Sequence, residues 1–387
     1  MHANDADALL VLASTFLEQD EELHDARREV YRALVEEAWK IAMRSRHYLT
    51  TQCLDTPSDS AWMMVYKYGS DVNFLNTTSL TRSAFNQLLR RFSRFYYIPR
   101  HTTRGRPTKL KHHHQVLGLV LCFYVGSMEQ SSLCMLFGAP PSTLSRTLAR
   151  AEGALAQALS GYAPARTSWP SPARQAELAK LVEAREPLLQ HTFGFIDGKN
   201  FRVQQPSNAD LQNAMYNGWL HTVFVAGTIC FAADGCIIWS KHNCPGSWND
   251  SDTSLGFRAK LLDPAYCPDT RMNVVSDSAF PCSTAMVGRI LTPLKDGDLD
   301  RIRPSLRSSA RTLHNAITSV RQAAECGMGS MQKVYSRLNL PLPYDPNIRG
   351  CRISNVFRIA NYRVRTVGIS QIRTTFSGEM ELPPSSE

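Results

Sequence analysis

A chain of 387 residues, 43% hydrophobic and 20% charged, can bury one large core or two ordinary ones, and that balance excludes a disordered protein. A net charge of +9, with a pI near 9.1, favours a polyanionic partner without approaching a histone-like charge density. Ten cysteines without a CxxC pair match no common zinc spacing, and no signal-peptide pattern precedes them. They read as reduced, mostly buried thiols of a cytosolic or nuclear protein. The longest apolar run, Val116 to Gly126, is too short to span a bilayer and fits a buried core helix, so no membrane partner is expected.

Residues 1–60 read as a helical arm and a polar connector. Between Asp5 and about Arg46, an apolar stripe that includes Leu9, Leu12, Phe16, Leu23, Val30 and Leu34 predicts an amphipathic helix or helix pair, a packing or oligomerisation arm. Thr50 to Ser60 form the connector. Residues 61–161 read as an all-α region. Leu80 to Phe92 has a Ser/Thr start and helical apolar spacing. From Arg82 to Met128 there is no Asp or Glu, while nine Lys and Arg fall there, a local field that draws phosphate. Arg104-Gly-Arg-Pro107 has the core of a minor-groove A·T hook, with Arg104 and Arg106 as the groove-entering side chains; the plain alternative is a basic turn. His112, His113 and His114 stand at consecutive helical positions and so point in different directions, which makes them helix-start residues rather than co-ligands.

Met128 to Leu159 predicts helix, turn, helix. The first helix ends near Phe137, Gly138 makes the turn, and Ser142 caps the second after Pro140 and Pro141. Leu144, Leu148 and Ala151 face inward and Ser145, Arg146 and Arg150 outward. This is the layout of a helix-turn-helix whose second helix enters the major groove, with those three outward residues touching DNA.

Residues 162–190 hold a Pro-rich linker, Tyr162 to Arg174, and a short helix, Gln175 to Glu186. Over residues 191–345 the hydrophobic period changes. Strands are predicted at Phe193 to Asp197, His221 to Ala232, Cys236 to Asn243 and Met272 to Ser276, with helices at Ser251 to Leu262 and Thr312 to Leu338. Three strands in hairpin order, then alternating helix and strand, predict an α/β RNase H-like core: a mixed sheet flanked by helices, preceded by the all-α helix-turn-helix region. Residues 346–387 form a basic segment with a short disordered tail. Its arginines, from Arg349 to Arg373, either track phosphate or belong to a final helix in which Asn361 and Arg363 pair internally.

Three acids stand at element ends rather than in polar runs. Asp197 ends one apolar strand and is followed by Gly198, which permits a sharp turn; Asp277 ends another; Glu325 lies on the long helix among apolar neighbours. Adjacent strands would bring the two aspartates to one carboxyl-end crevice, where α/β sheets bind ligands. A glutamate from a crossing helix completes an oxygen-only site suited to Mg²⁺ or Mn²⁺. Such a two-metal site activates water and stabilises the leaving 3′ oxygen in phosphodiester displacement.

The segments FIDGKNF, SDSAF and NAITSVRQAAECGMGSMQKVYSRL resemble the three acidic motifs of PIF/Harbinger-type transposases, the DDE superfamily endonucleases. Tyr216-Asn217-Gly218-Trp219 with His221, and CPGSWNDSDT from Cys244 to Thr253, resemble that family's intervening segments, and LTRSAFNQLLRRF and FGAPPSTLSRTL its DNA-binding region. The likeness runs from about Leu75 to Phe376. It implies that Asp197, Asp277 and Glu325 are catalytic residues that hold divalent metal for cleaving and joining DNA at terminal inverted repeats and target sites. An accessory DNA-binding protein goes with it; a nuclear location with a cytoplasmic pool, and a homo-oligomer built through the N-terminal arm, are separate expectations. Ser276 stands where glycine is commoner, and Cys326-Gly327 where many members carry an aromatic residue and a later glycine. These departures keep an alternative open: a domesticated, catalytically silent DNA-binding protein. The carboxylates by themselves also suit a nuclease acting on RNA or on unspecific DNA.

Overall fold

Among the described residues, eight α-helices precede the first β-strand of the computed structural model, which describes residues 3–47, 51–99, 108–218, 221–280 and 284–377. The arm is one continuous helix, α1 (Ala3–His47), rather than a helix pair. The helices α2 (Ala61–Tyr68), α3 (Asp71–Thr78), α4 (Arg82–Phe92) and α5 (His113–Val125) follow. In α4 the Thr81 side chain accepts from the Ala84 amide, and Ala84, Phe85, Leu88 and Phe92 are buried, as the spacing predicts. Helix α5 is apolar all round because it is enclosed all round, from Gln115 to Tyr124. Trp62 lies so close beneath it that a Cβ on Gly118 would stand 2.2 Å from the indole. His114 accepts from the Trp62 indole N–H at 3.3 Å and stacks on Tyr66 with ring centres 3.8 Å apart. Burial, then the neighbouring His112 and His113, lower its pKa to about 4, so it serves as a neutral packing residue.

Helices α6 (Gln130–Phe137) and α7 (Pro141–Leu159) are joined through Gly138, whose φ of 63° is the left-handed C-cap conformation that glycine favours. The second helix begins one residue earlier than its expected cap. Pro140 is the N-cap and Pro141 the first helical residue, so Ser142 lies inside the first turn. Two prolines preset the extended and helical φ values in turn and make a hydroxyl cap unnecessary.

After α8 (Pro172–Arg185) come β1 (Thr192–Gly198), β2 (Phe201–Arg202), α9 (Ala209–Met215), β3 (Tyr216–Asn217), β4 (Thr222–Ala232) and β5 (Ile237–Pro245). Then follow α10 (Asp250–Leu262), β6 (Asn273–Val275), β7 (Ile290–Leu291), α11 (Asp298–Arg301), α12 (Arg307–Val334), α13 (Pro346–Val367) and α14 (Gln371–Ser377). The strands β5, β4 and β1 are antiparallel neighbours, β6 and β7 continue the sheet parallel to β1, and the short β2 and β3 pair with β4. The result is a mixed sheet flanked by helices and preceded by an all-helical region. Helices α8 and α12 pack on β1, and α10 on β4 and β5.

The C-terminal arginines take the second of their two expected roles. In α13 the buried Arg352 binds Glu152 of α7 through two hydrogen bonds, at 2.7 and 3.0 Å. Arg349 donates to Asn243 and to the carbonyls of Pro343 and Tyr344, Arg363 to those of Ser79 and Ile369, and Arg365 to those of Ala163, Pro164 and Arg166. Asn361 clamps the backbone of Ile237, accepting at 2.7 Å and donating at 2.8 Å. One hydrophobic cluster runs from Trp62 to Phe376 and takes in both the helical region and the sheet. Cys122, Cys134, Cys230, Cys236, Cys244 and Cys267 are free thiols buried in the fold. No helix among the described residues is long and apolar enough to cross a membrane.

Candidate active site

The register between β1 and β6 sets the site. Gly194 pairs with Val274 and Phe195 with Val275 in parallel, so Asp197 and Asp277, each two residues further on, stand level at the same end of adjacent strands. Asp277 accepts the Ala279 amide at 3.1 Å, an Asx turn that carries the chain away from the sheet. Glu325 comes from α12, which packs against β1, β4 and β6. The Asp197 carboxyl is pushed up to about 6, first by burial and then by the charges of Asp277 and Glu325; the Gly198 amide and Arg321 offset part of this. The three acids therefore share one electrostatic neighbourhood.

A fourth acid stands with them. Asp250 opens α10, next to the N-cap Asn249, and its pKa is raised by burial and by the charge of Asp277. A Cβ built on Gly198 would lie 2.3 Å from Asp250 Oδ1. Gly198 is thus not a turn residue, since it ends β1 paired with Thr228; its missing side chain makes room for the Asp250 carboxylate. The sequence carried a signal for Asp250, as it lies inside the segment CPGSWNDSDT, but an Asp at a helix start is ordinary capping chemistry.

Two cations face these acids. Lys199, half-buried, has its pKa lowered by burial, with Asp197 acting the other way. Arg321 donates to Glu325 Oε1 at 2.9 Å across one helical turn, while its Nε is buried without a hydrogen-bond partner. No group of three or more His, Cys, Asp or Glu side chains among the described residues is placed to hold a metal ion. The expected convergence of Asp197, Asp277 and Glu325 to within a few ångströms therefore stops short of a closed ligand shell. Glu325 lies against Arg321, and the charges of Asp277 and Glu325 both bear on Asp197. The donor set itself suits a hard divalent cation, being oxygen-only and in excess of its nearby positive charge.

The residues expected to touch DNA are divided by the structure. Arg104 and Arg106 lie outside the described residues. On α7, Leu144, Leu148 and Ala151 are buried and Ser145, Arg146 and Arg150 exposed, in agreement with the periodicity. Their commitments differ. Arg150 donates to the Tyr97 carbonyl at 3.1 Å and lies over the Tyr96 ring at 5.2 Å. Ser145 pairs with Gln130 at 2.6 Å and lines a cavity of about 580 Å³ between α6, α7 and α13. Among the described residues, Arg146 bonds only the Ser142 carbonyl of its own helix, at 3.1 Å. Within the acid-free stretch Arg82 and Arg91 are tied to backbone carbonyls, leaving Arg90, Arg94, Lys109 and Lys111 exposed.

Residues 196–361 match the model of the DDE superfamily endonuclease family, a span that contains all four acids. Among solved structures, a pre-cleavage Mos1 transpososome is 11% identical with a TM-score of 0.22, over 81% of this chain and 93% of that one. The Mos1 strand transfer complex is 11% identical with a TM-score of 0.17, over 71% of this chain and 92% of that one. No curated protein matches the chain.

Proposed function

We propose that this chain is a divalent-metal-dependent DNA endonuclease of the transposase kind, with an RNase H-like core, that cleaves and joins phosphodiesters at the ends of a mobile element. One observation carries the reading: two aspartates level on adjacent parallel strands, joined by Asp250 and Glu325, inside the segment that matches the endonuclease family. Asp197, Asp277 and Glu325 would hold Mg²⁺ or Mn²⁺. When bound, such ions lower the pKa of water and neutralise charge on the attacking and leaving oxygens. Asp250, close to Asp277, orients that ligand or joins it. Lys199 brings positive charge to the edge where a phosphate would lie, and Arg321, paired with Glu325, would position that carboxylate beside the metal. The Harbinger-type resemblance gives terminal-repeat DNA as the substrate, with an accessory DNA-binding protein and a nuclear site of action as parts of the same proposal.

The test is nicking of DNA that carries the source element's terminal repeats, with Mg²⁺, with Mn²⁺ and with a chelator. Asp277→Asn keeps size and shape but removes a ligand charge. It should abolish cleavage, and with it most of the rise in thermal stability that millimolar metal gives the wild type by mass action. A variant that cuts as well as wild type removes Asp277 from the mechanism. A wild type that binds the repeats but neither cuts nor responds to metal is the silent, domesticated protein.

Helices α6 and α7 are proposed as the DNA-reading element, and their arginines should behave differently. Arg146→Ala should weaken DNA binding by about 1–3 kcal/mol while leaving the melting temperature nearly unchanged. Arg150→Ala should lower thermal stability, because it breaks a hydrogen bond and a cation–π contact to Tyr97 and Tyr96. Equal loss of DNA affinity from both, with no loss of stability, would place Arg150 at the nucleic acid instead.

A further inference from the structure

Every described side chain from Ala8 to Lys40 of α1 is exposed, whichever side of the helix it occupies. At 1.5 Å per residue the whole helix is roughly 70 Å long. Isolated helices owe little of their stability to propensity, and an amphipathic one gains most of it by packing its apolar stripe. Here that stripe is open to solvent: Phe16 is 71% exposed and Val30 60%. The spacing says what covers it. Leu9, Phe16, Leu23 and Val30 recur every seven residues, and three places after each come Leu12, Gln19, Ala26 and Ala33. This is the alternating three–four spacing of the a and d positions of a coiled coil, kept from Leu9 to Ala33. The neighbouring frame, through Leu10 and Leu17, would put His24, Asp20 and Arg27 in the seam, which excludes it.

We infer that α1 pairs with α1 of a second copy of this chain as a parallel two-stranded coiled coil. Charge and polarity select the partner and its direction. Glu22 precedes the a position Leu23, and Arg27 follows the d position Ala26, so in a parallel pair Glu22 of one subunit meets Arg27 of the other, twice by symmetry. Neither residue forms an ion pair within its own helix among the described residues, whose pairs on α1 are His24 with Asp20, Arg28 with Asp25 and Lys40 with Glu37. An antiparallel pair would instead set Glu22 against Glu22. Gln19, the single polar seam residue, faces its own copy only in the parallel arrangement, where the two amides bond each other. Antiparallel, it would face Leu23 and leave a buried amide without a partner. The apolar alanines at the later d positions allow the helices to approach closely.

The full chain is run by size-exclusion chromatography with light scattering, and the expected mass is twice the 43.4 kDa of one chain. Leu23→Asp places a charge in the seam and should give monomers whose globular part melts as before. Glu22→Lys and Arg27→Glu should each raise the dimer dissociation constant roughly five-fold, and the double variant should restore it by rebuilding the pair with signs exchanged. Gln19→Cys should form a disulfide-linked dimer on mild oxidation, against the wild type as control. A monomeric wild type, a trimer, or a dimer indifferent to Leu23→Asp overturns the pairing. A dimer that Gln19→Cys fails to crosslink overturns its parallel direction.

Discussion

Asp197→Asn should make the metal-free protein more stable at pH 8 and no more stable at pH 4. Burial and the charges of Asp277 and Glu325 raise the Asp197 carboxyl from 3.8 to about 6. The folded state then binds this proton more tightly than the unfolded chain does. Stability therefore falls as pH rises through the window between the two values, and the full cost is present above it. A rise of about two units corresponds to at most about 3 kcal/mol at pH 8, a cost that the neutral asparagine does not carry. Denaturant unfolding of wild type and variant at both pH values, with a chelator present, measures it. A gain that is the same at pH 4 and pH 8 would show that the effect lies in packing and not in charge.

Glu152→Ala should be the most damaging single change away from the site. Glu152 accepts from Arg352 at 2.7 and 3.0 Å and from the Tyr124 hydroxyl at 3.0 Å, and it is 5% exposed. Truncation leaves the guanidinium of Arg352, a residue 9% exposed, without its counter-charge. Removing one partner of such a buried pair costs about 3–5 kcal/mol. Chemical denaturation of the variant reads this directly. Replacing both partners, as Glu152→Leu with Arg352→Met, should cost much less, because no buried charge is then left unpaired. If the double variant is as unstable as Glu152→Ala, the cost comes from lost shape at the α7–α13 contact rather than from an unpaired charge. Tyr124, whose pKa is raised by burial and by Glu152, and Asn355, which donates to the Tyr124 hydroxyl at 3.1 Å, belong to the same network. Glu152→Ala also bears on the proposed DNA-reading element, since Glu152 lies on α7 itself.

Much of the architecture was legible from local pattern. The apolar period of α4, the all-round apolarity of α5, the left-handed turn at Gly138 and the apolar strands that lead to Asp197 and Asp277 all follow from backbone geometry over a few residues. Periods of 2 and 3.6 are properties of the strand and the helix themselves and need no distant partner. For α1 the apolar stripe left one helix and a helix pair open, and the continuous backbone from Ala3 to His47 decides for one helix. What the sequence could not determine were relations across long separations. That Asp197 and Asp277 stand level depends on the β1–β6 register, in which Phe195 pairs with Val275. Asp250 joins the acids only because Gly198 leaves room for it. Arg352 meets Glu152 200 residues away, and Arg82 and Arg91 turn inward to carbonyls, so a count of charges overstates the basic surface. A residue's period is set by its neighbours in the chain, whereas its charge is used by whichever groups the folded core brings beside it. The element types therefore belonged to the sequence, and the composition of the site to the tertiary structure.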